Sequence, residues 1–250
     1  MPPSCEHWIM NVASVTDRIG EFISQNSGML RQIPTIQSQV LELAVAVAAA
    51  EHYGTFGYDV EFVNPRSGPE FVVKSTSRGH PWNYSRIVVR RNAMEFEIHM
   101  NLSVRSARDS GIYCVDLAVT PSGAVPVQRD PEWKCLPNAR LITFGEAKKL
   151  VVYPMLLAHF IGIIHELAPT FLSGLPPDFA AANHFAPALI TLGYCTANSS
   201  EIVSAYPGRN ICVNIEANFD DRFADGQVGF RFGQDDPTVP GASAVLAENA

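Results

Sequence analysis

Between residues 58 and 148 the chain carries six short runs rich in β-branched and aromatic residues, each closed off by Pro, Gly, Asn or Ser: YDVEFV (58–63), FVVKS (71–75), SRIVVRR (85–91), MEFEIHMNLSV (94–104), GIYCVDLAV (111–119) and ARLITFGEAK (139–148). Such runs read as strands. A chain with six of them in a row must build a sheet, and the flanking segments must cover it. Arg91-Asn92 reads as a tight hairpin turn between two of the strands. PSGAVPVQRDPEWKCLPN (121–138) holds four prolines and reads as a long loop or insertion, a kind of segment that is usually functional or mobile.

The flanks are helical. Trp8, Val12, Val15, Ile19, Phe22 and Ile23 recur at helical spacing. SQVLELAVAVAAAEH (38–52) is apolar on nearly every side, which signals burial all round. A third helix is expected over 149–172. Beyond it come an apolar strand over 186–197, a short helix near 199–205 and a strand over 211–217. No repeat recurs at a period of 20–50 residues. The order predicts an α/β (α+β) fold, a mixed sheet flanked by helices. Residues 1–35 would form an N-terminal helical arm, 36–217 the main domain and 218–250 an acidic, flexible tail.

Charge narrows the function classes. Eighteen Lys and Arg against 25 Asp and Glu leave a net charge of −7, which argues against a free-standing, high-affinity nucleic-acid coat protein. The average hides an asymmetry. Residues 66–108 hold eight basic side chains against three acids, and from Glu216 onward there are seven acids against two arginines. Five scattered cysteines with no C-x-x-C pair suggest neither a zinc site nor a disulfide framework. No signal sequence is legible at the start. The most apolar stretch, Leu150 to Ile164, is shorter than the roughly 20 residues that span a bilayer. A soluble, cytoplasmic protein with no membrane contact is expected.

Glycine-rich phosphate loops, G-x-S-x-G and H-E-x-x-H are all missing. What remains is acidic. Asp116 lies inside the apolar strand GIYCVDLAV, and Glu146 and Lys148 end the apolar strand LITFGEAK. Strand side chains alternate, so Glu146 and Lys148 share a face. If the two strands are neighbours, all three converge. Neighbouring buried carboxylates repel, and a divalent cation removes that cost. Two or three oxygen ligands suit Mg²⁺ or Mn²⁺ rather than zinc.

Asp116 followed by Glu146-Ala147-Lys148 resembles the PD-(D/E)xK nuclease superfamily, the restriction-endonuclease-like fold. The resemblance covers about residues 36–217 and implies an αβββαβ core. It implies that Asp116, Glu146 and the Ala147 carbonyl hold Mg²⁺ (or Mn²⁺), and that Lys148 is the catalytic lysine. It also implies an auxiliary glutamate on the first core helix. Glu42 fits that place, and Glu51, nine residues on and read as sharing its face, is the alternative. Val115 stands where the motif has proline, and the long gap to Glu146 is assigned to the 121–138 insertion. The implied activity is metal-dependent hydrolysis of DNA phosphodiester bonds, an endonuclease. By fold analogy, an effector role in bacterial antiviral defence is expected.

Lys74, Arg78, Arg86, Arg90, Arg91 and Arg105 are the expected phosphate contacts, and the loop aromatics Trp82, Tyr84 and Trp133 are read either as stacking on bases or as folding back onto the core. The net charge predicts weak, salt-sensitive DNA binding by the isolated chain, and hence a homo-oligomer or a protein partner held through the N-terminal helix. Two other readings compete: a catalytically silent binding or assembly module of the same fold, and a small-molecule hydrolase using His99 or Cys114.

Overall fold

The computed structural model describes residues 10–26, 29–30, 36–65 and 70–225. Helix α1 (Val12–Gln25) starts at Asn11, whose side chain accepts the Ser14 N–H. It buries Val15, Ile19 and Ile23, one residue per turn. That stripe faces α2 (Gln37–Thr55), in which the side chains from Val40 to Ala50 are buried, Glu42 excepted. Alanine and valine dominate α2 because it is pressed between α1 and the sheet, where bulkier residues would not fit. The apolar stripe of α1 thus packs on α2 within the core.

The strands are β1 (Met29–Leu30), β2 (Asp59–Val63), β3 (Glu70–Phe71), β4 (Arg86–Arg91), β5 (Met94–Arg105), β6 (Ile112–Pro121), β7 (Thr143–Lys148), β8 (Ala188–Thr191) and β9 (Asn214–Glu216). β1 and β3 form a small parallel pair. The other seven form one mixed sheet in the order β2-β4-β5-β6-β7-β8-β9. Pairing is antiparallel as far as β7 and parallel from β7 through β8 to β9. Helix α3 (Pro154–Leu167) makes the crossover from β7 to β8, and α4 (Ala197–Ser204) leads toward β9. The fold is mixed α/β, as the sequence predicts. No helix among the described residues is long and apolar enough to cross a membrane.

Two apolar clusters sit on the two faces. Ile98, Met100, Leu117 and Val119 pack with α1 and α2. Leu102, Val104, Val115 and Phe144 pack with Leu156, Phe160 and Ile164 of α3. Even-numbered residues of one strand should stay on one face, yet β5 changes core between Met100 and Leu102. The residue between them is Asn101, with φ +50°, in the left-handed region. β6 changes core at the same level, between Val115 and Leu117. The two strands switch faces together at Asn101 and Asp116.

Several expected elements are shorter. The helix expected over 149–172 begins at Pro154, which suits a first helical turn, and ends before Pro169. Of 71–75 only Phe71 is strand, and of 139–148 only Thr143 onward is, because Asn138–Arg140 form a 3₁₀ turn. The strands expected over 186–197 and 211–217 shrink to β8 and β9. Residues expected in the tail instead form α5 (Phe219–Ala224), whose Phe219 and Phe223 are buried among α1 and α2. Position 226 onward lies outside the described residues.

Candidate active site at the fork between two strands

β6 and β7 pair at Val119–Thr143, Ala118–Phe144 and Leu117–Gly145, and then part. β6 stays with β5 down to Ile112, and β7 stays with β8 down to Lys148. Asp116 and Glu146 are the first residues beyond the fork. In place of the next rung, the Ala147 N–H donates to Asp116 Oδ2 at 2.8 Å. A Cβ at Gly145 would come into contact with Leu117 and Ile190 at 3.4 Å.

Lys148 Nζ donates to Asp116 Oδ2 at 2.9 Å and to Glu146 Oε2 at 2.6 Å. Those two oxygens are thus separated by no more than the two bonds laid end to end. Two oxygens bound to one Mg²⁺ stand at most about 4.2 Å apart, so a small movement of the carboxylates would bring them onto one ion. Glu146 is buried, while Lys148 and Asp116 keep partial exposure, so the fork opens to solvent on one side. Glu42 reaches in from α2. Asn101 Nδ2 donates to its Oε2 at 2.7 Å and to the Lys74 carbonyl at 2.9 Å.

The charges are unbalanced. Burial, then the Asp116 carboxylate, push the Glu146 carboxyl up to about 7. Burial outweighs the Asn101 hydrogen bond at Glu42 and pushes it up to about 7 as well, with Asp116 adding to the rise. Burial would lower the Lys148 ammonium, but the Glu146 and Asp116 carboxylates more than offset it and hold it above its usual range. Three carboxyls therefore share the fork with Lys148, and burial, with Asp116 adding to it, raises two of them to about 7. Their oxygens are hard donors, which a hydrated Mg²⁺ or Mn²⁺ suits. Among the described residues no three His, Cys, Asp or Glu side chains form a ready metal cage, and Lys148 stands between the two carboxylates. The donor set fits such an ion on the condition that Lys148 gives way.

No protein-family model, curated protein or solved structure matches the chain.

Asp116, Glu146, Ala147, Lys148 and Glu42 are thus brought together. Glu51 is not. Nine residues at about 100° each amount to two and a half turns, so it lies opposite Glu42 rather than on its face. It pairs with Arg18 of α1 at 2.8 Å.

The six basic residues divide. Lys74 is buried, not a surface contact: its ammonium bonds the Asn101 carbonyl and, at 2.9 Å, the Thr76 carbonyl, and burial lowers its pKa. Arg86 pairs with Glu97 at 3.2 Å, and Arg90 with Glu61 and Glu95. Arg91 donates to the Phe56 carbonyl and lies over the Tyr58 ring at 4.4 Å. Arg90 and Arg91 also flank the hairpin to β5, level with Glu95 and Met94, six and seven residues along that strand from Asn101, or roughly 20–23 Å. Arg78 and Arg105 are exposed.

The rival candidates are quiet. His99 Nε2 meets Glu97 Oε2 at 3.1 Å, and burial lowers its pKa. Burial pushes the Cys114 thiol up to about 11, far from a thiolate nucleophile. Trp82 stacks on His80 at 4.3 Å, and Trp133 packs against the α3-side core.

Asn101 went unpredicted as a site residue. Its one local signal is an amide inside an apolar strand, since Asn is among the few residues that tolerate the left-handed region.

Proposed function

We propose that the chain is a metal-dependent endonuclease of restriction-endonuclease-like fold that hydrolyses DNA phosphodiester bonds at the β6–β7 fork. The observation that carries the reading is the convergence of Asp116, Glu146 and Lys148 there, with Glu42 reaching in from α2. The order α2, β5, β6, β7, α3, β8 supports the αβββαβ core. Asp116, Glu146 and the Ala147 carbonyl would hold Mg²⁺ or Mn²⁺, which activates water and stabilises phosphoryl charge when bound. Lys148, once the ion displaces it from between the carboxylates, would orient the attacking water or meet the charge that develops on phosphate. Glu42, held by Asn101, would be the auxiliary acid beside the ion. The exposed Arg78 and Arg105 are the phosphate contacts this reading retains.

One observation favours the silent-module alternative: Lys148 satisfies both carboxylates by itself, as a structural ion pair would.

The test is cleavage of plasmid and of single-stranded DNA at low salt with Mg²⁺ or Mn²⁺, wild type beside Glu146→Ala, with and without EDTA. Metal-dependent cutting that the substitution abolishes supports the nuclease. Absence of cutting with either metal, together with no metal-induced stabilisation, puts the silent module first.

A further inference from the structure

A second concavity, of about 680 Å³, lies toward the other end of the sheet. It is bounded by the start of β5, the residues leading into β7, the end of α3 and the connection before β8. Phe96, on its wall, is five residues along β5 from Asn101, or roughly 16 Å from the fork. Its volume falls in the range of small-molecule pockets, roughly 300–1,000 Å³, and its walls are mainly apolar and aromatic, including Met94, Phe96, Ile142, Phe171 and Phe179.

Asn138, Thr170, Asp178 and His184 are the polar side chains on its wall, and His184 is the buried one. His184 lines the cavity and is only 6% exposed. It is set among Phe96 at 4.5 Å and Phe179 at 5.2 Å between ring centres. Its Nδ1 lies 2.7 Å from the hydroxyl of Tyr53, which is fully buried on α2. Among the described residues that bond is the only one the Tyr53 hydroxyl makes, so its proton has no other acceptor there, and leaving a buried O–H unpaired is costly. Tyr53 therefore donates to Nδ1, which puts the ring proton on Nε2. Nε2–H meets no protein acceptor among the described residues.

Burial holds the imidazole down at about 4, so it stays neutral and a donor at physiological pH. The one acidic side chain on the wall is Asp178, and no Lys or Arg lines it to receive an anion.

We propose that this cavity is a binding site for an uncharged, largely apolar small molecule whose single hydrogen-bond acceptor, a carbonyl, ether or ring nitrogen, takes the His184 Nε2–H. The site is independent of the nuclease reading, because no fork residue lines it.

The test titrates the full chain with prodan, a neutral naphthyl ketone whose emission reddens when its carbonyl accepts a hydrogen bond. Phenylnaphthylamine, of similar bulk and without the ketone, serves as the comparison. The proposal expects saturable binding of one prodan per chain. Ala139→Trp and Ala181→Trp, at exposed positions on the wall, should each weaken both probes about tenfold or more by filling the space, with the urea midpoint unchanged. His184→Phe should weaken prodan about three- to tenfold and shift its emission to the blue, while sparing phenylnaphthylamine. No saturable binding, including the case in which another part of the chain fills the cavity, overturns the proposal. Binding indifferent to both Trp substitutions overturns it too. Equal losses of the two probes in His184→Phe overturn the acceptor role. Should His184→Phe fail to fold, the two Trp variants still decide whether the cavity binds.

Discussion

Asn101 lies directly opposite Asp116, between the paired residues Met100–Leu117 and Leu102–Val115, and its backbone is left-handed at φ +50°. At that level both strands exchange the α1/α2 face for the α3 face. The same residue binds Glu42 and Lys74. One conformational irregularity therefore turns an acid out of an apolar strand and steadies a second acid beside it.

Asn101→Ala should destabilise more than Asn101→Gly. Both lose the amide bonds to Glu42 and to the Lys74 carbonyl, worth about 1–2 kcal/mol together. Alanine adds about 1 kcal/mol for a left-handed backbone that glycine adopts freely. Urea midpoints measure the difference, and equal midpoints would contradict the left-handed conformation.

Glu146 should make stability fall as pH rises. Its carboxyl titrates near 4.5 when unfolded and at about 7 when folded. Between those values the folded state keeps a proton that the unfolded chain releases, so stability declines across pH 4.5–7 and is level above. Glu42 acts in the same direction, more weakly because it is partly exposed. Glu146→Gln should match wild type at pH 4.5 and exceed it by about 1–3 kcal/mol at pH 8. Denaturation across the pH range reads this directly, and a constant difference between the two proteins would count against a raised pKa.

Lys148→Met should abolish cleavage by about a hundredfold or more while preserving or strengthening the Mg²⁺-induced rise in Tm. The lysine now occupies the position between the two carboxylates, so removing it leaves their charge for the ion. The rise should be larger at pH 8 than at pH 5.5, where protons compete for Glu146 and Glu42. Calorimetry with and without Mg²⁺ checks both statements.

Arg78→Gln and Arg105→Gln should each reduce the salt slope of DNA binding by about 0.7–0.9. Arg90→Gln should leave it unchanged, because that guanidinium is engaged by Glu61 and Glu95. Binding titrations over a range of salt separate the two classes.

Phe223→Ala should cost about 3–5 kcal/mol. Its ring is fully buried, stacked on Phe219 at 5.5 Å and with the Arg18 guanidinium 5.0 Å away. A loss under 1 kcal/mol in chemical denaturation would mean that α5 is not docked.

Element order was legible in the chain because helices and strands advertise themselves through local periodicity. The buried α2, the strand run through Lys148 and the α3 crossover all follow from residues close together in sequence. The pairing of Glu146 with Lys148 was legible for the same reason, since two residues apart on a strand means one face. Periodicity could not show the change of face at Asn101. Leu102 and Val104 continue the even-numbered apolar positions of Ile98 and Met100, so the pattern looks unbroken while the backbone turns over. Nor could it show that Lys74 is buried, that Arg90 and Arg91 are engaged far from the fork, or that Phe219 and Phe223 dock on helices some two hundred residues upstream. Those outcomes depend on which strands separate, which faces meet and how much water each charge keeps. Such quantities exist only once distant segments are packed together, and they decide why two carboxyls at the fork hold protons near neutral pH.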